Sequence, residues 1–185
     1  MFSIKLVGNI NNVGIALDSL RAFASEAEES QDRQTSVEME SLFSQLPKNP
    51  NRNVFLWLME LTLEIVAPVF WWKHLGQYSV DVFNLRYHDH LQEGERLLSG
   101  KNFEGFISKE KLSILNNYIR DGHPDVALKL LPTNFIQRGY VKINYKCLNE
   151  IYCSENQASD EHWASFLRFT ETLPYQELIT RCEQL

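Results

Sequence analysis

The chain has 185 residues, a net charge of −6 at pH 7 and 44% hydrophobic residues, enough to bury one sizeable core. We therefore expect a single domain spanning residues 1–185. The acidic balance without a basic block argues against nonspecific nucleic acid binding, but it allows a small anion held by a few local cations. The sequence carries no long uncharged apolar run, so we expect neither a signal peptide nor a membrane span.

The number and spacing of the cysteines indicate the cellular compartment in which the protein is expected. There are three, Cys147, Cys153 and Cys182, so at least one cannot pair within the chain, and none forms a C-x-x-C motif. Cys147 and Cys153 lie six residues apart on a predicted helix and cannot face one another. We expect buried, inert free thiols and a cytoplasmic protein.

The N-terminal part reads as a strand followed by helices. Alternating side chains over Phe2–Leu6 predict a short strand that ends in a turn at Gly8–Asn12. An apolar stripe then predicts a helix over Val13–Ala24. Thr35-x-x-Glu38 has the spacing of a capping box, and Pro47–Asn53 has the composition of a turn within the domain.

Residues 54–90 hold the densest apolar block. Alternation over Met59–Ile65 predicts a half-buried strand. Pro68 suits the first position of a helix that ends at Gly76, and this helix is expected to bury Phe70, Trp71 and Leu75. A segment with polar residues at Ser79, Asp81, Asn84, Arg86 and Tyr87 follows, and strand, helix and polar segment together could line a pocket.

The second half alternates helices with one more strand. Ser108 is expected to cap a helix over Lys109–Arg120, and alternation predicts a strand over Arg138–Asn144. Further helices are expected at His90–Leu98, from Pro124 to Leu131, at Tyr145–Ser154 and at Asp160–Thr172.

This order resembles the core of the flavin-dependent thymidylate synthases, which carry the motif R-H-R-x-x-S-x-N-E-x-S-x-R-Y. With its last two residues placed on Arg86 and Tyr87, Ser79 matches the first serine. Asp81 then stands for the Asn, Val82 for the Glu and Asn84 for the second Ser. The opening R-H-R becomes His74-Leu75-Gly76.

The resemblance continues to the C-terminus, where Asn144, Lys146 and Trp163 are positional matches and Glu155 replaces a substrate-binding arginine. More specifically, the chain resembles a divergent branch found in Gram-positive bacteria and their phages. That branch carries A-P-x-x-W-W, L-P-x-x-x-x-Q-R, N-Y-x-x-L-x-x-I-Y and L-P-Y-x-E-L-I, here at Ala67–Trp72, Leu131–Arg138, Asn144–Tyr152 and Leu173–Ile179.

The resemblance implies an α+β fold, a sheet packed with helices, and a homo-oligomer. It also implies that the arginine at Arg86 serves a nucleotide, and a guanidinium does match phosphate in two-point contacts. An ion pair with Asp81 or Asp89 is the alternative. The candidate nucleotide-binding residues are Ser79, Asp81, Asn84, Arg86, Tyr87, Asn144 and Lys146.

In that family a bound flavin carries the hydride, because no side chain can. The arginine motif that contacts the flavin is absent here. We therefore predict a catalytically degenerate relative, encoded by a phage or its host, that has no catalytic residue or cofactor and binds a nucleotide such as dUMP or another protein. The alternative is a divergent synthase that uses FAD to convert dUMP to dTMP.

Two further patterns invite functional interpretations. His88-Asp89-His90 could contribute to a metal site, but no H-x-x-x-H or cysteine cluster supports it, so we expect a polar turn and no metal. Trp71, Trp72, Tyr78 and Phe83 could stack on a flavin, but such stripes more often belong to the core, which is the interpretation we favour.

Overall fold

The computed structural model describes residues 2–16, 18, 52–86, 97–155 and 160–182. Its strands are β1 (Ser3–Asn11), β2 (Glu60–Pro68), β3 (Asp81–Arg86) and β4 (Ile136–Asn144). Its named helices are α1 (Arg52–Leu58), α2 (Val69–Leu75), α3 (Lys109–Arg120), α4 (Pro124–Lys129), α5 (Tyr145–Glu155), α6 (Glu161–Thr170) and α7 (Glu177–Thr180).

The strands form one antiparallel sheet in the order β1-β2-β4-β3. Along β2, fully buried Leu61, Leu63 and Ile65 alternate with half-buried residues, which confirms the predicted half-buried strand. Strand β4 alternates in the same way and begins two residues before the predicted start. The alternation directs one face of these strands into the core.

The chain divides into two compact units, Met1–Lys5 with Leu63–Val141, and Leu6–Thr62 with Lys142–Leu185. We call them the first and the second unit. Their boundaries fall inside β1, β2 and β4. The single domain over residues 1–185 stays a prediction.

Helix α2 in the first unit begins one residue later than predicted. Pro68 ends β2 and flanks the helix in an extended conformation (φ −70°, ψ 155°), because the fixed φ of proline suits a strand end as well as a helix start. The helix buries Trp71, Trp72 and Leu75. The prediction for Phe70 was wrong: it is 37% exposed, one position outside the buried face.

Elsewhere in the first unit, Ser108 caps α3 as predicted, its Oγ accepting a hydrogen bond from the Lys111 N–H at 3.2 Å. A small core lies beneath this helix. Buried Asn116 exchanges two hydrogen bonds with the backbone of Leu98, at 2.8 and 2.9 Å. Residues 97 and 98 are not helical, and the rest of the predicted helix His90–Leu98 lies outside the described residues. The core residues are Leu98, Phe103, Leu115, Ala127 and Phe135.

Strand β1 continues through the predicted turn at Gly8–Asn12. Gly8 has φ +76°, which glycine adopts without a steric penalty, so the chain stays in the strand to Asn11. The helix predicted over Val13–Ala24 is seen at residues 13–16 and 18, and its other positions lie outside the described residues, as do Thr35 and Glu38.

In the second unit, α1 starts at Arg52, so the turn predicted up to Asn53 was wrong at its end, and its residues 47–51 lie outside the described residues. Helices α5 and α6 confirm the predicted helices to within a few residues. The prediction of free thiols was wrong for two residues, because Cys153 and Cys182 form a disulfide, whereas Cys147 is buried and not part of a disulfide, as expected. The pairing depends on the chain returning over the end of α5.

Helices long and apolar enough to cross a membrane are absent from the described ranges.

Candidate functional site

The candidate nucleotide segment leads from the end of α2 onto β3. Ser79 is exposed in the connection, and Asp81 is the exposed first residue of β3. Asn84 and Arg86 belong to the same strand, and Tyr87 lies outside the described residues. Among the described strands, β3 lies at an edge of the sheet beside β4, so the backbone carries these residues along that border.

Aromatic rings accompany this segment, and they differ in burial. Trp71 and Trp72 are buried and meet edge to face at 5.6 Å, which confirms their assignment to the core. Phe83 was wrongly expected there: it is 43% exposed and stacks on Tyr140, with ring centroids 5.9 Å apart. Half-buried Tyr78 stacks on His74 at 6.5 Å.

The three residues aligned with R-H-R form the last turn of α2 and its cap. Leu75 is completely buried. Gly76 ends the helix, and its backbone N–H donates to the Trp72 carbonyl oxygen at 3.0 Å. These three residues therefore end the helix and contribute Leu75 to the core, and none of them carries a guanidinium group.

The half-buried face of the sheet carries cations that already have partners. The Arg138 guanidinium lies 3.2 Å from the Glu64 carboxylate, and Lys142 Nζ lies 2.7 Å from the Glu60 carboxylate. Both pairs join β4 to β2 in the same antiparallel register, where opposite charges facing each other are favourable. An anion at either cation would compete with a carboxylate.

Asn144 and Lys146 lie at the start of α5 in the second unit, and each has a structural contact. The Asn144 Oδ1 accepts a hydrogen bond from the Cys147 backbone N–H at 2.8 Å, as a helix cap does. Lys146 Nζ lies 3.3 Å from the Glu150 carboxylate one turn along the helix.

The C-terminal segment Leu173–Ile179 anchors the end of the chain in the second unit. The Tyr145 hydroxyl donates to the Pro174 carbonyl oxygen at 2.5 Å. Burial, followed by the neighbouring Tyr175 and Glu177, raises the pKa of Tyr145 above its ordinary value, so this phenol stays protonated. Leu178 and Ile179 are buried. The sequence shows the L-P-Y-x-E-L-I motif of this segment, but it does not predict that the motif anchors the end of the chain.

Three or more metal-ligating side chains do not gather anywhere in the described ranges. His88, Asp89 and His90 lie outside these ranges, so the interpretation of that triplet stays a prediction.

Comparison with solved structures shows which fold this is. The flavin-dependent thymidylate synthase ThyX from Helicobacter pylori, complexed with FAD and dUMP, is similar with a TM-score of 0.68 and 16% identity, over 96% of this chain and 97% of that chain. Another crystal structure of ThyX from the same organism, also with FAD and dUMP, has a TM-score of 0.65 and 14% identity, with 97% of each chain covered.

The UMP/dUMP methylase PolB from Streptomyces cacaoi, bound with 5-Br dUMP, is similar over 82% of this chain and 77% of that chain, with a TM-score of 0.51 and 12% identity. Neither a protein-family model nor a curated protein matches the sequence. The structural similarity confirms the predicted α+β fold of the flavin-dependent thymidylate synthases. At these identities it is a likeness of fold.

Proposed function

We propose that this protein is a degenerate relative of the flavin-dependent thymidylate synthases that binds a uracil nucleotide without performing the ordinary reaction. The observation that carries the proposal is the segment His74-Leu75-Gly76. Where the resemblance expects an arginine motif that contacts flavin, Leu75 is fully buried and Gly76 ends a helix. Without those cations, the flavin on which hydride transfer depends loses its expected contacts.

The choice of nucleotide follows from the similar structures. Two of them contain dUMP and the third contains 5-Br dUMP. A chain with a net charge of −6 repels anions at long range, so a phosphate must be held by local cations and hydrogen-bond donors. Arg138 and Lys142 already face carboxylates. Arg86 is our candidate for the phosphate ligand because it occupies the motif position that the resemblance assigns to the nucleotide.

The remaining candidates take different roles by their chemistry. Ser79 and Asn84 can donate hydrogen bonds to a phosphate or a base, whereas the carboxylate of Asp81 can only accept and suits a base N–H or a ribose hydroxyl. Tyr87 has a phenol that can do either. Asn144 and Lys146 already make contacts to residues of α5, so we assign them a secondary role in nucleotide binding.

The alternative is a divergent synthase that uses FAD to convert dUMP to dTMP. It is favoured by the extent of the similarity, since 97% of the ThyX chain bound to FAD and dUMP is covered. The purified protein separates the two proposals. A yellow preparation with flavin absorbance, or one that takes up FAD on titration, supports the enzyme, and a colourless preparation that takes up none supports the degenerate relative.

Binding of another protein belongs to the same proposal. Trp57 on α1 is 61% exposed, and tryptophan is common at the energetic centres of interfaces. The edge strand β3 could accept a partner strand. The fold resemblance suggests a homo-oligomer and a cytoplasmic location, and the motif resemblance to the divergent branch suggests a phage or Gram-positive source. These too remain part of the proposal.

The test of nucleotide binding is calorimetry with dUMP, supported by thermal shift. Arg86→Ala is expected to weaken dUMP binding about ten- to hundredfold, since a charge-assisted hydrogen bond contributes on the order of 1.5–3 kcal/mol. Arg120→Ala is the matched control, because Arg120 is exposed and contacts Asn117 on its own helix at 3.1 Å. A parent protein that shows no heat and no thermal shift at millimolar dUMP refutes the nucleotide site and leaves protein binding.

A further inference from the structure

The last described residues lie against the end of α5 through two different attachments. The Asn149 side-chain amide donates hydrogen bonds to the Ile179 and Arg181 carbonyl oxygens, at 2.7 and 3.0 Å. One turn further along α5, Cys153 is joined to Cys182 by a disulfide, with 5.4 Å between the Cα atoms. The Asn149 amide thus holds the backbone at Ile179 and Arg181, and the disulfide holds the next residue, Cys182.

The two cysteine residues differ in exposure to solvent. Cys182 is exposed, whereas Cys153 is half-buried on the helix. The Asn149 Nδ2 also lies 3.5 Å from Cys153 Sγ, so one of its two hydrogens can turn from the Arg181 carbonyl oxygen to a thiolate at Cys153. A thiolate from solution therefore reaches the sulfur of Cys182 more easily, and the leaving sulfur is the one that has a hydrogen-bond donor beside it.

We propose that Cys153–Cys182 is a reversible redox latch on the C-terminal segment, opened by small-molecule thiols and closed by their disulfides. In opening, an external thiolate bonds to Cys182 Sγ, the S–S bond breaks, and Cys153 departs as a thiolate that then takes a proton. A second external thiolate then bonds to the external sulfur of the mixed disulfide, and Cys182 departs as a thiolate that also takes a proton. The protein gains two electrons and two protons, and the two external thiols become one disulfide.

The latch has a limited range because other contacts remain when it opens. Leu178 and Ile179 stay buried and Asn149 keeps its hydrogen bond to the Ile179 carbonyl oxygen, so α7 remains on α5. Residues 181 and 182 are released. In a cytoplasmic protein, a disulfide of this kind is typically transient or redox-sensing.

The order of attack is tested on variants that lack one of the two disulfide cysteines. Each variant is treated with oxidised glutathione, and its glutathione adducts are measured by mass spectrometry. We expect Cys153→Ser to accept a glutathione adduct on Cys182 about tenfold faster than Cys182→Ser accepts one on Cys153, because accessibility governs the exchange. Cys147→Ala is the control and keeps the disulfide. Equal adduct rates on the two variants contradict the proposed order.

The latch itself is tested on the unaltered protein by hydrogen exchange, with and without reductant. Reduction is expected to speed exchange of the Thr180 amide about tenfold, because its N–H donates to the Gln176 carbonyl oxygen at 2.9 Å in the last turn before the released residues. Amides at Leu178 and Ile179 should change little. Asn149→Ala should extend the fast exchange to Ile179 in both redox states. Exchange that is the same with and without reductant, or a protein that never forms the disulfide in a glutathione buffer, overturns the proposal.

Discussion

Two helices of this protein start directly from a sheet strand, and they satisfy their first backbone N–H groups in different ways. At the junction of β2 and α2, Pro68 offers no side-chain cap. The N–H groups of Val69 and Phe70 donate instead to the carbonyl oxygens of Phe135 and Thr133, both at 2.9 Å. This junction depends on a segment far away in the sequence.

At the junction of β4 and α5, a local side chain supplies the cap. Asn144 accepts a hydrogen bond from the Cys147 N–H at 2.8 Å, and the Tyr145 N–H donates to the Met59 carbonyl oxygen at 3.0 Å. The difference teaches that α2 is held by buried packing and distant backbone groups. The start of α5 is held partly by a residue that was also a candidate for the nucleotide.

The largest expected effect lies at the first junction. Trp71→Ala should lower the free energy of unfolding by about 3–5 kcal/mol, because a fully buried indole leaves a cavity. Phe70→Ala is the neighbouring control and should cost less than about 1 kcal/mol, since its ring is partly exposed. Denaturant unfolding measures both. Equal losses for the two variants would mean that packing does not hold this helix.

The next effect concerns pH at the second junction. The pKa of Tyr145 is raised in the folded protein, so its contribution to stability is complete below about pH 10, the ordinary pKa of tyrosine, and decreases as the pH rises above that value. One such group changes the free energy of unfolding by about 1.4 kcal/mol per pH unit in this range. Unfolding should therefore be measured at a series of alkaline pH values.

Tyr145→Phe should remove that alkaline slope and also the hydrogen bond to Pro174. Tyr152→Phe is the comparison, because its pKa is raised first by a hydrogen bond to Glu171 and only then by burial. A slope that survives in Tyr145→Phe would assign the alkaline loss to other groups.

A smaller effect is expected from the cap itself. Asn144→Ala should destabilise the protein by about 1 kcal/mol, the usual contribution of a helix cap. Asn144→Asp retains an acceptor at the helix start and should keep most of that stability, but its added charge should weaken dUMP binding if Asn144 faces the phosphate. Thermal unfolding together with dUMP calorimetry separates capping from binding. Unchanged stability in Asn144→Ala would remove the contrast between the two junctions.

The smallest effect is expected for Lys146. Its ion pair with Glu150 lies on the surface of α5, so Lys146→Ala should cost only about 0.2–0.5 kcal/mol. Glu150→Ala should cost a similar amount and free the ammonium group. If Lys146 binds the nucleotide, Glu150→Ala should strengthen dUMP binding while Lys146→Ala weakens it. Identical dUMP affinities for the two variants would exclude a role of Lys146 in nucleotide binding.

The sequence by itself determined the elements whose signal is local. The alternation in β2 and β4, the Ser108 cap of α3 and the burial of Trp71 could all be predicted, because periodicity and capping depend on residues within a few positions of each other. Together with the motif resemblance they were sufficient for the α+β fold, which the similar structures confirm.

Only the tertiary structure decided the features that join distant parts of the chain. Cys153 and Cys182 are separated by 29 residues, and no local pattern marks them as partners. The cross-strand partners of Arg138 and Lys142, and the bond from Tyr145 to Pro174, likewise depend on how strands and helices are brought together. Sequence periodicity specifies which face of an element is buried, but the partner on that face is specified only by packing.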